Sequence, residues 1–521
     1  MHALAALLAA GLAAAPAAAR VGDAWGTNIH WLRGQPGESA LLATAYKVAR
    51  MDFLWSTIET TCGEYDFSAY DALLAEMQAH NVRPYWILDY DNNKCYPSPG
   101  SSCSTDACIA GYGAFAAAAA AHFAGQPIIF ESVNEPNGMG QDSAGVITAL
   151  CKAAGAHFLA AGTTFVGPTT AGVDFPYLNA TFADGILASL TGVSVHPYRA
   201  GAPESATADL EQLAALIASY RPGLPALPVL SGEWGYTSAT RPCDYGNRVS
   251  RAVQGKYVPR MWLSALLGGA VVSIHYDWKN DGTNGSNCED NFGSMEADLS
   301  APKPAFRAAL AAQTTIGNAS TFVGRVPAAL AAPAAWNLTQ ASAFVLAFAG
   351  GELPQPAAAF AVWTNVTTCV IGADAGARAP CGGAGVDEAG CLALGCCFDE
   401  ELPAGSSAPA CYVAAAPASV PAGVCPADQR ADCGFSGIGH DECVNTRGCC
   451  WDSSPAPVGP QCFWHADHGI GGPLNITFRV APAADDVCFQ VVDVFGAARP
   501  PVCAVSGQIT LTATDGPMYL L

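Results

Sequence analysis

The chain has 521 residues, too many for one compact core, so about two to four domains are expected. Hydrophobic residues make up 51% and charged residues only 13%, and the 11 Trp, 16 Tyr and 21 Phe exclude a disordered chain, which could not offset its ordering entropy. With 23 Lys and Arg against 44 Asp and Glu the formal charge is −21, which argues against nucleic acid and anionic membrane surfaces as partners.

Residues 1–19 form an apolar, Ala-rich run that ends in small residues. This reads as a signal peptide cleaved near Ala19 or Ala24, although only His2 stands where a basic start would be; the competing reading is a buried Ala-rich helix. Twenty-one Cys fit a disulfide-stapled protein of an oxidising compartment. Six N-x-[ST] sequons, at Asn179, Asn284, Asn318, Asn337, Asn365 and Asn475, are compatible with glycosylation after export. No later uncharged apolar stretch reaches the roughly 18 to 20 residues that span a bilayer. A secreted or lumenal glycoprotein with no membrane span is expected.

From residue 25 to about 316, short apolar runs alternate with helical patterns. The expected strands are 24–31, 48–55, 82–90, 127–136, 163–170, 192–198, 227–236 and 269–278, with helices such as 71–80 and 208–220 between them. Eight βα units predict a (β/α)8 barrel. A doubly wound open sheet competes, but no G-x-G-x-x-G follows the first strand, and polar residues gather at the ends of many strands. After residue 316 the helical pattern stops. Strands at 320–326, 342–350, 358–364, 475–480, 487–496 and 507–514 predict a small antiparallel sandwich. Twelve of the 21 Cys crowd between its halves, in two similar blocks. The first holds Cys369, Cys381, Cys391, Cys396, Cys397 and Cys411; the second holds Cys425, Cys433, Cys443, Cys449, Cys450 and Cys462.

The chemistry is concentrated in carboxylates. ESVNEPNG puts Asn134 and Glu135 at the carboxyl end of the fourth expected strand, and VLSGEWGY puts Glu233 at that of the seventh. Barrel enzymes keep their active sites on that rim. Two carboxyl groups facing each other there suit glycoside cleavage, one protonating the leaving oxygen and the other attacking or activating water. Either Glu alone could be a surface loop residue. Other chemistry is thinly supported. DWKNDG (277–282) is a poor calcium loop, because Lys279 takes a ligand position. GFSGI (434–438) lacks the last Gly of a nucleophile elbow, and adjacent Cys do not suit a zinc site.

NEP on strand four, GEWG on strand seven, HPY on strand six, YDW on strand eight, and RMDFLW followed by GEYDFSAYD together resemble glycoside hydrolase clan A, in particular its cellulase-like family five and xylosidase-like family thirty-nine. The resemblance covers about residues 25–315, with a terminal TDGPMYL of the kind such enzymes carry in a trailing sandwich. It implies a retaining mechanism without cofactor or metal, with Glu135 as acid/base, its pKa raised, and Glu233 as ionised nucleophile. Carried over residue by residue, it makes Asn134 a ligand of the sugar hydroxyl beside the reacting carbon. Tyr198 then holds the orientation of Glu233, with His196 nearby, Arg50 lowers its pKa, and Trp278 forms the sugar-stacking floor; Asn134, Arg50, His196, Tyr198 and Trp278 make up the expected substrate-binding set. Arg50 could instead be a structural ion pair and His196 a satisfied barrel histidine. Trp25, Trp31, Trp55 and Trp86 divide between core and platform, with Trp31 and Trp86 the candidates for platforms.

The Cys blocks, with GCCFD and GCCWD and a final Cys-aromatic pair, resemble the trefoil (P-type) module, at residues 368–413 and 424–465. The longer gap after Cys369 departs from its pattern. Spacing alone allows about 15 pairings per block. The resemblance implies Cys425–Cys450, Cys433–Cys449 and Cys443–Cys462, and in the first block Cys369–Cys397, Cys381–Cys396 and Cys391–Cys411. Elsewhere Cys243 and Cys288 follow strands seven and eight, Cys62 and Cys95 follow strands two and three, Cys103 and Cys108 are near neighbours, and Cys488 and Cys503 would staple the last strands, leaving Cys151 buried and inert. The expected domains are thus a signal peptide (1–19), a catalytic barrel (20–316), and a sandwich (317–367 and 466–521) holding two inserted trefoil modules. The expected partner is a β-linked oligo- or polysaccharide, with glycans or mucin-like glycoproteins at the trefoils. A catalytically silent carbohydrate-binding or surface protein is the alternative.

Overall fold

Eight of the short apolar runs become strands: β1 (Trp25–Asn28), β2 (Val48–Leu54), β3 (Arg83–Asp89), β4 (Ile129–Glu131), β5 (Thr164–Ala171), β6 (Gly192–His196), β7 (Val229–Trp234) and β8 (Ala270–His275). A computed structural model of the chain describes residues 20–98, 103–138, 143–241, 243, 247–331, 343–351, 358–364, 474–480, 487–513 and 516–521, with 379–380, 397–398, 410–413, 430–432, 450–451 and 462–465. Each strand pairs in parallel with the next and β1 pairs with β8, closing a barrel. Helices such as Ser68–Ala79, Ala144–Ala160 and Ala206–Ser219 separate the strands. Strands covered on both sides must be apolar along their length, which is why these runs are near-continuous rather than alternating. Val48, Tyr85, Ile129, Val166, Leu230, Val272 and Ile274 fill the interior as a packed layer, so the barrel is a core and not a pore.

The chain packs as two compact units. The first comprises residues up to Tyr198, Ala206–Gly235 and Trp262–Trp278, and holds all eight barrel strands. The second comprises Arg199–Ser205, Tyr236–Met261 and Lys279–Leu521. In the second unit, β9 (Thr321–Arg325), β10 (Ala328–Ala331), β11 (Ala343–Ala349) and β12 (Ala358–Thr364) precede the Cys-rich region. After it come β19 (Leu474–Arg479), β20 (Cys488–Val492), β21 (Ala498–Cys503), β22 (Gln508–Ala513) and β23 (Met518–Leu520). They form a three-stranded sheet, β10-β19-β22, and a six-stranded sheet, β21-β20-β23-β12-β11-β9. Val345 and Val362 of one sheet and Ile476, Phe478 and Ile509 of the other share one buried cluster, the core of a sandwich.

Between the halves lie six short strands: β13 (Ala379–Pro380), β14 (Cys397–Phe398), β15 (Cys411–Val413), β16 (Arg430–Asp432), β17 (Cys450–Trp451) and β18 (Cys462–His465). They make two sheets of the same order, β13-β15-β14 and β16-β18-β17. The register repeats as well: Cys397 opposes Tyr412 and Cys450 opposes Phe463. The two Cys blocks are therefore structural repeats. Cys411 is disulfide-bonded, while the expected pairings of these blocks lie outside the described residues, as does the expected signal peptide.

Disulfides join Cys62 to Cys95, Cys103 to Cys108, Cys243 to Cys288 and Cys488 to Cys503. Cys151 is a buried free thiol, its pKa pushed up to about 12 by desolvation and so unreactive. Among the described residues no helix is long and apolar enough to cross a membrane.

Candidate active site

The centre of the barrel mouth is Arg50. Parallel register sets it beside Asn28 of β1 and Tyr85 of β3. Its guanidinium is fully buried and shared among several acceptors. Nη1 donates to Glu233 Oε2 at 2.5 Å, Nε and Nη2 to Glu131 Oε1 at 2.9 and 2.5 Å, and Nη2 to Asn134 Oδ1 at 2.8 Å. Burial alone would push Arg50 down, but Glu131 and Glu233 outweigh it and hold the guanidinium firmly charged.

Glu233 is the last residue but one of β7, with its side chain 12% exposed. Oε1 accepts from Tyr198 Oη at 2.9 Å, and Oε2 accepts from Asn28 Nδ2 at 2.9 Å as well as from Arg50. Burial raises its pKa, yet His196, Arg50 and the bonds from Tyr198 and Asn28 win and hold the carboxyl below its ordinary value. Glu135, 17% exposed, follows β4 on a backbone with φ +44°, a left-handed conformation that costs a non-glycine residue about 1–3 kcal/mol. Two neighbours hold it there: Asn134 N–H donates to Asp89 Oδ1 at 3.0 Å and Glu135 N–H to the Thr169 carbonyl at 3.0 Å. One carboxylate oxygen each of Glu135 and Glu233 and a ring nitrogen of His196 all lie within 4.8 Å of one another.

His196 stands between the two acids. Nδ1 is 2.7 Å from Glu135 Oε1 and Nε2 is 3.2 Å from Arg50 Nη2. An arginine can only donate, so in the neutral ring Nε2 accepts and the proton lies on Nδ1, directed at Glu135. Both ring nitrogens are engaged with protein, so His196 orients Glu135 rather than a substrate hydroxyl. Tyr90, which follows β3, is 43% exposed.

Among the sequence-chosen residues, Glu135, Glu233, Asn134, Arg50, His196 and Tyr198 are brought together. Trp278 is placed differently. It is 1% exposed, its indole N–H donates to Glu38 Oε1 at 2.8 Å, and it packs edge-on against Tyr46, which leaves no ring face for a sugar. Trp86 is core, fully buried and stacked on Phe53, while Trp31 is half-buried. Glu131 was not singled out from sequence, although it is fully buried and accepts from Tyr85 Oη, from Ser194 Oγ at 2.7 Å and from Arg50. The available signal was an acid ending an uninterrupted apolar run, IIFE, which only a buried cation makes tolerable.

Glu135, His196 and Glu233 are close enough to share a metal ion. Their donor atoms are already committed, however. Arg50 supplies a fixed positive charge 2.5 Å from Glu233, which disfavours a second cation.

Residues 372–414 and 424–465 match the family model of the Trefoil (P-type) domain. These are two trefoil modules. Integumentary mucin A.1 of Xenopus laevis is 39% identical over 83 residues, 16% of this chain, and the match spans only 20% of the mucin. For the whole chain, a solved family 39 glycoside hydrolase from the gut symbiont Bacteroides cellulosilyticus superposes with a TM-score of 0.62 over 96% of this chain and 81% of its own, at 17% identity. A family 30 endoxylanase from Clostridium papyrosolvens superposes with a TM-score of 0.52 over 97% of each chain, at 10% identity. At these identities the likeness shows the fold alone. The barrel and sandwich are thus a fold shared with glycoside hydrolases.

Proposed function

We propose that this protein is a secreted retaining glycoside hydrolase acting on β-linked oligo- or polysaccharides. The observation that carries this reading is the close approach of Glu135 and Glu233, with oxygens within 4.8 Å across the carboxyl rim of a barrel. Retaining enzymes hold their carboxyls about 5–5.5 Å apart, whereas inverting ones need about 6.5–9.5 Å to admit a water. The environments assign the roles. Glu233, held ionised by Arg50, Tyr198 and Asn28, attacks the anomeric carbon. Glu135 gives its proton to the leaving oxygen as the glycosidic C–O bond breaks and Glu233 becomes an ester. Water deprotonated by Glu135 then attacks the same carbon, releases the sugar and restores both groups. Asn134 binds the neighbouring sugar hydroxyl, and Tyr90 offers the exposed ring face that Trp278 does not.

On this reading residues 1–19 direct export, residues 20–316 carry catalysis, and the trefoil modules bind glycans or mucin-like glycoproteins. The disulfides among the described residues and the mucin likeness support an extracellular setting. The test is hydrolysis of a panel of aryl β-glycosides and β-linked polysaccharides by the full chain, with Glu233→Ala alongside. Release of sugar that the substitution abolishes is expected. Silence from folded wild-type protein would favour the alternative, a glycan-binding protein acting through its trefoil modules.

A further inference from the structure

Two buried anions share one buried cation at the barrel mouth, and the hydrolase reading uses only one of them. Glu131 and Glu233 reach Arg50 from β4 and β7, both within 2.5 Å. Glu131 is 0% exposed and touches no space a sugar could occupy. Its second oxygen is saturated by Tyr85 and Ser194, which anchor it on the side away from Arg50. The residue before the nucleophile is shaped around this cluster: a Cβ on Gly232 would stand 2.2 Å from Ser194 Oγ and 3.1 Å from Glu131 Oε2.

We propose that Glu131 is a positioning residue that divides the charge of Arg50 with Glu233 and is the carboxylate that stays bonded to Arg50 once Glu233 is esterified. The inference rests on the retaining mechanism above. When Glu233 attacks, its carboxylate becomes a neutral ester, and the negative charge passes to Glu135, which bonds His196 and not Arg50. Without Glu131, Arg50, wholly buried, would then have no carboxylate bonded to it, a costly state. Glu131 removes that cost and, before the attack, draws part of the guanidinium's field away from Glu233, leaving it more nucleophilic. The ionisable groups around Glu233 are Arg50, His196, Tyr198 and Glu135. Those around Glu131 are Arg50 and Tyr85, with Asp89 and Tyr112 further off.

The test is a carboxyl-carbon NMR titration of the full chain labelled at the glutamate side chains, with the Glu233 signal assigned by its loss in Glu233→Gln. In Glu131→Gln the Glu233 midpoint is expected to move to lower pH, because Arg50 then acts on Glu233 alone. In Glu131→Asp, which keeps the charge, it should return toward wild type. The acid limb of kcat should move the same way. Ser194→Ala, which frees Glu131 to pull harder on Arg50, should shift the midpoint in the opposite direction and covers the case in which Glu131→Gln does not fold. An unmoved Glu233 midpoint in folded Glu131→Gln, or no opposite shift in Ser194→Ala, overturns the proposal. The titration needs no substrate, so an inactive wild type with these shifts would sink the hydrolase reading while the charge sharing stands. An active wild type without them would do the reverse.

Discussion

Asp89 shows how a single group near the site sets a pH dependence. It is fully buried at the end of β3, one oxygen accepts from Asn134 N–H, and the other meets no partner. Burial, reinforced by Asp52, pushes its carboxyl well above the ordinary value. An acid with a raised native pKa keeps its proton in the fold while the unfolded chain loses it. Stability therefore falls as pH rises from about 3.9 to the native value. Asp89→Asn keeps the acceptor for Asn134 and removes this penalty. Its melting temperature should match wild type near pH 4 and exceed it increasingly as pH rises; a difference that does not change with pH would contradict the assignment. A second contrast concerns the aromatics. Tyr90→Ala should raise KM with little change in stability. Trp278→Phe, which loses the bond to Glu38, should lower stability by about 1–3 kcal/mol and leave KM near wild type. Steady-state kinetics and urea unfolding of the two variants check this. The residues were unequally legible. Glu135 and Glu233 could be found because an acid at the end of an apolar strand is conspicuous, and Arg50 through the family resemblance of the segment around it. Glu131 could not be weighed without its partner, since burial of an acid is intelligible only once Arg50 is beside it. A tryptophan after a strand reads alike as platform or core, and the packing of Tyr46 and Glu38 against Trp278 decided it for core.

At the level of elements, apolar runs bounded by polar ends were enough to find every barrel strand, because a strand covered on both faces has few other compositions open to it. The sandwich was harder. β10 is AALA and has no β-branched residue to mark it. β21 is ARPPVC, whose two prolines argue against a strand; it lies at the edge of its sheet, where a missing N–H is tolerated. β23 is three residues long, too short for a period to register. The loops that follow β2 and β3 are tied by Cys62–Cys95, and the first of them is anchored on buried Glu59, which accepts from Trp55 Nε1, Gly63 N–H and Tyr96 Oη. With a sequence separation of 33, loop-closure entropy puts the contribution of that disulfide at about 3–4 kcal/mol. Replacing both cysteines by serine should lower unfolding free energy by that amount in denaturant titrations. An unchanged midpoint would show that the Glu59 cluster alone holds the loops.

Across the whole molecule, a barrel and sandwich of glycoside hydrolase fold are combined with two trefoil modules, in a chain of −21 formal charge and 21 cysteines. The disulfides call for an oxidising compartment, and the acidity suits a neutral glycan substrate better than a polyanionic one. Fold likeness at 17% identity fixes neither sugar nor linkage, which belong to the loops around the rim. What the proposed function commits to is stereochemistry, since carboxyl groups as close as those of Glu135 and Glu233 suit a covalent sugar better than a water opposite it. The decisive measurement is proton NMR of the first sugar released from an aryl β-glycoside that the protein accepts, before mutarotation sets in. The β-anomer should appear first, with the α-anomer growing in later. First appearance of the α-anomer would contradict the double displacement and the role given to Glu233.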